Sequence, residues 1–112
     1  MISVGVLVGT TSQTLTELIL TAPQGGPLPA NGRVAEIHIQ WRVTSAADFH
    51  LVYKRGTVGS TINLATDSGR FFNTTDNYLE MRSPSHNQLS LDEFFLVSVA
   101  GTAQARILDW YI

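Results

Sequence analysis

The chain has no cysteine. Thiol catalysis, disulfide staples and cysteine-based zinc sites are therefore excluded, and packing alone must hold the fold. Charge is scarce as well: only 14% of the 112 residues are Asp, Glu, Lys or Arg, against roughly a quarter in an ordinary soluble domain. The seven Lys and Arg are scattered and the formal net charge is -2, so no basic field exists to neutralise phosphates, and nucleic acid is not an expected partner. No apolar run approaches the ~20 residues of a membrane span. The opening Met1-Ile2-Ser3-Val4-Gly5-Val6-Leu7-Val8 has neither a basic leader region nor a cleavage pattern. It reads as a strand, and no membrane association is expected.

Catalytic signatures are also missing. There is no Gly-x-Ser-x-Gly elbow, phosphate-cradling glycine loop or dinucleotide fingerprint, and the glycine-rich stretches read as turns. Asp92-Glu93 is the one adjacent acidic pair, and it stands where a turn should lead into the next strand. Nothing marks an enzyme, and no metal or cofactor is expected.

What is present is apolar residues, 44% of the chain, enough for one core and one domain over residues 1–112. They recur with period two in short blocks between Gly, Pro and Asn punctuators, the pattern of an antiparallel sheet protein. The expected fold is all-β, an antiparallel β-sandwich of jelly-roll-like kind with about eight short strands. Expected strands are Ile2 to Val8, Leu15 to Thr21, Val34 to Val43, Phe49 to Arg55, Thr61 to Leu64, Tyr78 to Met81, Gln88 to Leu91, Phe94 to Ala100 and Gln104 to Tyr111. No segment of ten or more residues carries a helical stripe.

The clearest block is Val34 to Val43, with Ile37, Ile39, Trp41 and Val43 on one side and His38, Gln40 and Arg42 on the other. Followed by a short Ser/Ala turn and Phe49 to Arg55, it predicts a hairpin that pairs Val43 with Phe49, Trp41 with Leu51 and Ile39 with Tyr53. Trp41 then belongs to the core. The same register sets His38 opposite Lys54 and His50 opposite Arg42, cationic surroundings that argue against a metal. His86 reads as a loop residue. Asn73-Thr74-Thr75 matches a glycosylation acceptor, to which no role is assigned.

Two aromatic features stand out. Phe71-Phe72 interrupts a polar loop stretch, Thr66 to Asn77, and adjacent residues in an extended segment point to opposite sides, so one ring is a candidate partner contact unless the loop folds over it onto its own core. Phe71, Phe72 and the Pro27-Leu28-Pro29 segment of the long Pro/Gly loop, Pro23 to Gly32, form the candidate protein interface. The closing Leu108-Asp109-Trp110-Tyr111-Ile112 is apolar where free termini are usually polar, which pins it in a sheet or at an interface.

From Val34 to Ile112 the layout resembles the small β-sandwich accessory proteins of tailed-bacteriophage virions, including head decoration or cement proteins. The resemblance lies in a Pro/Gly loop leading into Val34-Ala35-Glu36-Ile37-His38-Ile39-Gln40-Trp41-Arg42-Val43, then a short turn and Phe49-His50-Leu51-Val52-Tyr53. It continues in Leu89-Ser90-Leu91-Asp92-Glu93 before a strand and in the closing Arg106-Ile107-Leu108-Asp109-Trp110-Tyr111. It implies a non-enzymatic homo-oligomer, most often a trimer, at the capsid surface, with the major capsid protein or another virion protein as partner. The alternative is a carbohydrate-binding module or a receptor-binding virion domain that uses exposed aromatics as sugar platforms.

Overall fold

Side-chain alternation dictates the strands. In Glu36–Trp41, Ile37, Ile39 and Trp41 are buried and the residues between them lie on the other face. The structure, a computed structural model, describes residues 2–22, 28, 32–41, 47–53, 69–83 and 89–110. In chain order it contains β1 (Ile2–Val8), β2 (Gln13–Thr14), α1 (Leu15–Thr21), β3 (Arg33–Val34), β4 (Glu36–Trp41) and β5 (Phe49–Tyr53). These are followed by β6 (Gly69–Phe72), β7 (Tyr78–Arg82), β8 (Leu89–Ser90), a one-turn 3-10 helix (Leu91–Glu93), β9 (Phe94–Ser98) and β10 (Ala103–Trp110).

The fold is all-β and antiparallel. One four-stranded sheet has the order β1-β10-β4-β7, a second has β2-β9-β5-β6, and β3 pairs with β8. The pairings nest. β1 meets β10, β2 meets β9, β3 meets β8, β4 meets β7 and β5 meets β6, so the first half of the chain runs antiparallel to the second like one long ribbon. Two further pairings, β10 with β4 and β9 with β5, close the ribbon into its two sheets. Val4, Ile39 and Ile107 from the first sheet share one core with Phe49, Phe72 and Leu96 from the second.

Four expectations change. Leu15–Thr21, expected as a strand, is a helix: Thr14 and Glu17 form a reciprocal capping box, and Leu15, Leu18 and Ile19 are buried at helical spacing. The expected hairpin does not form, because β4 pairs with β10 and β7 while β5 pairs with β6 and β9 in the other sheet. Trp41 and Phe49 still share the core, but as members of different sheets. Residues read as a polar loop contain β6, and Gly69 is required there because a Cβ would collide with the Leu51 backbone. Leu91, expected in a strand, opens the 3-10 turn that carries Asp92 and Glu93. The expected strand Thr61 to Leu64 lies outside the described residues.

The second sheet is also dry where alternation predicts water. β9 is buried at all five positions, and Val52, Phe95 and Val97 are buried on the face turned away from the shared core.

Candidate functional site

The outer face of the first sheet gathers most of the charged side chains placed on its strands. Period two sends Glu36, His38 and Gln40 outward from β4 and Tyr78, Glu80 and Arg82 outward from β7. The register sets Glu36 beside Arg82, His38 beside Glu80 and Gln40 beside Tyr78. His38 is more sheltered than Glu36, Glu80 or Arg82, its side chain 12% exposed. Its Nε2 lies 2.5 Å from Glu36 Oε1 and 3.5 Å from Glu80 Oε1, and its Nδ1 lies 2.5 Å from the Tyr78 hydroxyl. That hydroxyl also reaches Glu80 Oε1 at 3.3 Å. Arg82 donates to Glu36 at 3.2 Å and to Glu80 at 3.5 Å.

Each group feels its neighbours. The hydrogen bond from His38 holds the Glu36 carboxyl below its ordinary 4.5, against partial desolvation and with help from Arg82. Tyr78 is pushed above its usual 10.0, first by desolvation and then by the Glu80 charge. The hydroxyl has one proton to give. When it goes to Glu80, His38 Nδ1 must carry its own proton, which leaves Nε2 either protonated or free to hold a cation. Sequence reasoning missed this cluster because the hairpin register put Lys54 where Glu80 stands. The signal was present as two outward-facing i, i+2 sets, Glu36/His38 and Tyr78/Glu80/Arg82, but nothing in the sequence alone fixes that their strands pair.

The candidate contact residues are dispersed. Phe72 is 0% exposed and stacks on Phe49 at 4.7 Å, so its assignment to an interface is corrected: it is core. Phe71, on the opposite side of β6, is 38% exposed and lies 4.8 Å from the His50 ring. Leu28 is half-buried against the core, while Pro27 and Pro29 lie outside the described residues. The most exposed large apolar side chains among the described residues are Leu7, at 65%, and Leu20, at 64%. Leu7 helps to line a groove of about 230 Å³ between β1 and α1, with Gly5, Val6, Leu18, Thr21 and Ala22. That volume is below the range of ordinary small-molecule sites.

The remaining expected residues have local roles. His50 has Phe71 and Val97 as cross-strand neighbours in place of the expected Arg42. The Asn73 side chain accepts from the backbone N–H groups of Thr75 and Asp76, which turns the chain from β6 into β7. Arg70 steadies the same turn through Asp76 and the Tyr78 carbonyl. Glu93 accepts from the Tyr53 hydroxyl at 2.7 Å. β10 pins the C-terminal segment between β1 and β4 as far as Trp110, and His86 lies outside the described residues. Among the described residues no helix is long and apolar enough to cross a membrane. Comparison with protein-family models, curated proteins and solved structures gives no match.

Proposed function

We propose that the nested ribbon is an eight-stranded jelly-roll sandwich, and that the chain is a non-enzymatic structural protein of a virus particle, a capsid decoration or cement protein acting through protein contacts. The observation that carries this reading is the strand order. Among the described residues the strands pair first with last toward the middle, and their closure into β1-β10-β4-β7 and β2-β9-β5-β6 is the order expected of a double Greek key, an arrangement used by viral capsid domains and by lectins. That support is architectural, and the surface adds to it. Leu7, Leu20 and Phe71 are exposed apolar side chains on a chain with little charge, and a neighbour that covered them would remove their apolar area from water.

Self-association is part of the proposal, with a trimer favoured. Sedimentation velocity is expected to show an oligomer that Leu7→Lys or Leu20→Lys reduces to a folded monomer, with an unchanged circular dichroism spectrum at about 25 °C and only the stability that association supplied removed. A chain that stays monomeric at high concentration and binds a glycan array would overturn the proposal in favour of a carbohydrate-binding module.

A further inference from the structure

We propose that Glu36, His38 and Glu80 form a binding site for a zinc ion on the outer face of the first sheet. The site does not depend on the contact reading above and can fail without it. The argument begins with spacing. Glu36 and His38 are two apart on β4, hence on one face, and Glu80 stands directly across from His38 on β7. Two strands thus present three donors at the corners of a triangle, and a ligand atom from each lies within 4.8 Å of the others. Around a zinc ion at ~2.0–2.1 Å from each donor, tetrahedral ligand atoms sit roughly 3.3 Å apart. His38 Nε2 and Glu80 Oε1 are already 3.5 Å apart. Glu36 Oε1, at 2.5 Å from Nε2, must back away by less than about 1 Å, which rotation of a partly exposed carboxylate supplies.

The donor set selects the metal class. An imidazole with two carboxylates suits zinc and its transition-metal neighbours, whereas calcium and magnesium take oxygen ligands and use more of them. Three protein ligands leave a fourth position for water or for a donor from a neighbouring molecule. The imidazole is also oriented for the task. With a metal on Nε2, Nδ1–H donates to the Tyr78 oxygen at 2.5 Å, and the Tyr78 proton turns to Glu80 at 3.3 Å. This is the outer-shell arrangement that fixes a histidine's tautomer at metal centres. Arg82 is the competitor, since it is bonded to both carboxylates. Its side chain is 67% exposed, so it can swing into solvent when a cation of higher charge arrives.

Zinc titration by calorimetry, with cobalt as a spectroscopic probe, tests the site in the full chain after chelator treatment. One zinc per chain is expected, with a melting temperature that rises in zinc and falls back in chelator. His38→Gln and Glu80→Gln should each abolish both effects, while His50→Ala leaves them intact. Glu80 is an exposed residue on an edge strand, so its variant keeps the test open if His38→Gln fails to fold. Tyr78→Phe should weaken binding about ten- to a hundredfold through the lost outer-shell bond. Arg82→Ala should strengthen it by about two- to fivefold, the scale of an exposed ion pair that no longer competes. A purely structural salt-bridge network predicts the reverse, with no zinc response and only lost stability. Absence of a zinc-dependent shift, or binding that survives both His38→Gln and Glu80→Gln, overturns the site.

Discussion

Phe72 stacks on Phe49 inside the core, while its neighbour Phe71 leaves the opposite side of the same strand and meets His50. Truncating the two rings should therefore have unlike consequences. Phe72→Ala, like Trp41→Ala, is expected to cost about 3–5 kcal/mol because it opens a cavity among buried side chains. Phe71→Ala should cost under about 1 kcal/mol, and thermal melts of the single variants separate them. Equal losses at Phe71 and Phe72 would show that β6 is misplaced. Glu36 gives a pH-dependent prediction. Its carboxyl is held below 4.5, mainly by the His38 hydrogen bond, so the folded state gives up this proton at lower pH than the unfolded chain does. The resulting stabilisation is complete above 4.5 and is lost as pH falls through the depressed folded value. In chelator, Glu36→Gln should melt below the unsubstituted chain at neutral pH, and the two melting temperatures should draw together below pH 4.5.

At the scale of elements, α1 shows how a short helix holds among strands. Seven residues are too few for a stable helix in isolation, yet the Thr14 side chain accepts from the Glu17 N–H at 3.1 Å and Glu17 reaches back to the Thr14 N–H at 3.3 Å. Packing of Leu15, Leu18 and Ile19 on the core supplies the rest. Thr14→Ala should cost about 1 kcal/mol, read by denaturant melts, and Glu17→Ala should lose part of the same energy because the two bonds are reciprocal. An unchanged midpoint for both would place the helix's stability wholly in its packing. Thr14-Leu15-Thr16-Glu17 spells this cap in the sequence, and its i, i+3, i+4 apolar spacing was equally visible. A strand is the expectation there because Leu, Ile and Thr also fit an extended segment, and seven residues are too short for periodicity to decide.

At the scale of the whole molecule, the two edges of the first sheet differ. β7 guards its edge with Glu80 and Arg82, whereas β1 has no charge along Ile2–Val8 and, among the described residues, pairs only with β10. Natural sheets usually blunt such an edge with lysine, which is why Leu7→Lys is the substitution expected to leave a folded monomer. Ile2 pairs with Asp109, so the sheet forms only after nearly the full length of chain has returned on itself, a long-range closure that no local pattern announces. The sequence by itself determined the all-β class, the burial of Trp41 and the positions of most strands, because period-two alternation is written locally and burial reads it directly. Only the tertiary structure decided that β4 and β5 belong to different sheets, that Phe72 is core, and that His38 faces Glu80 where Lys54 had been expected. Strand pairing is settled by packing between segments tens of residues apart, and two strands with the same alternation satisfy the same local rules whichever partner they take.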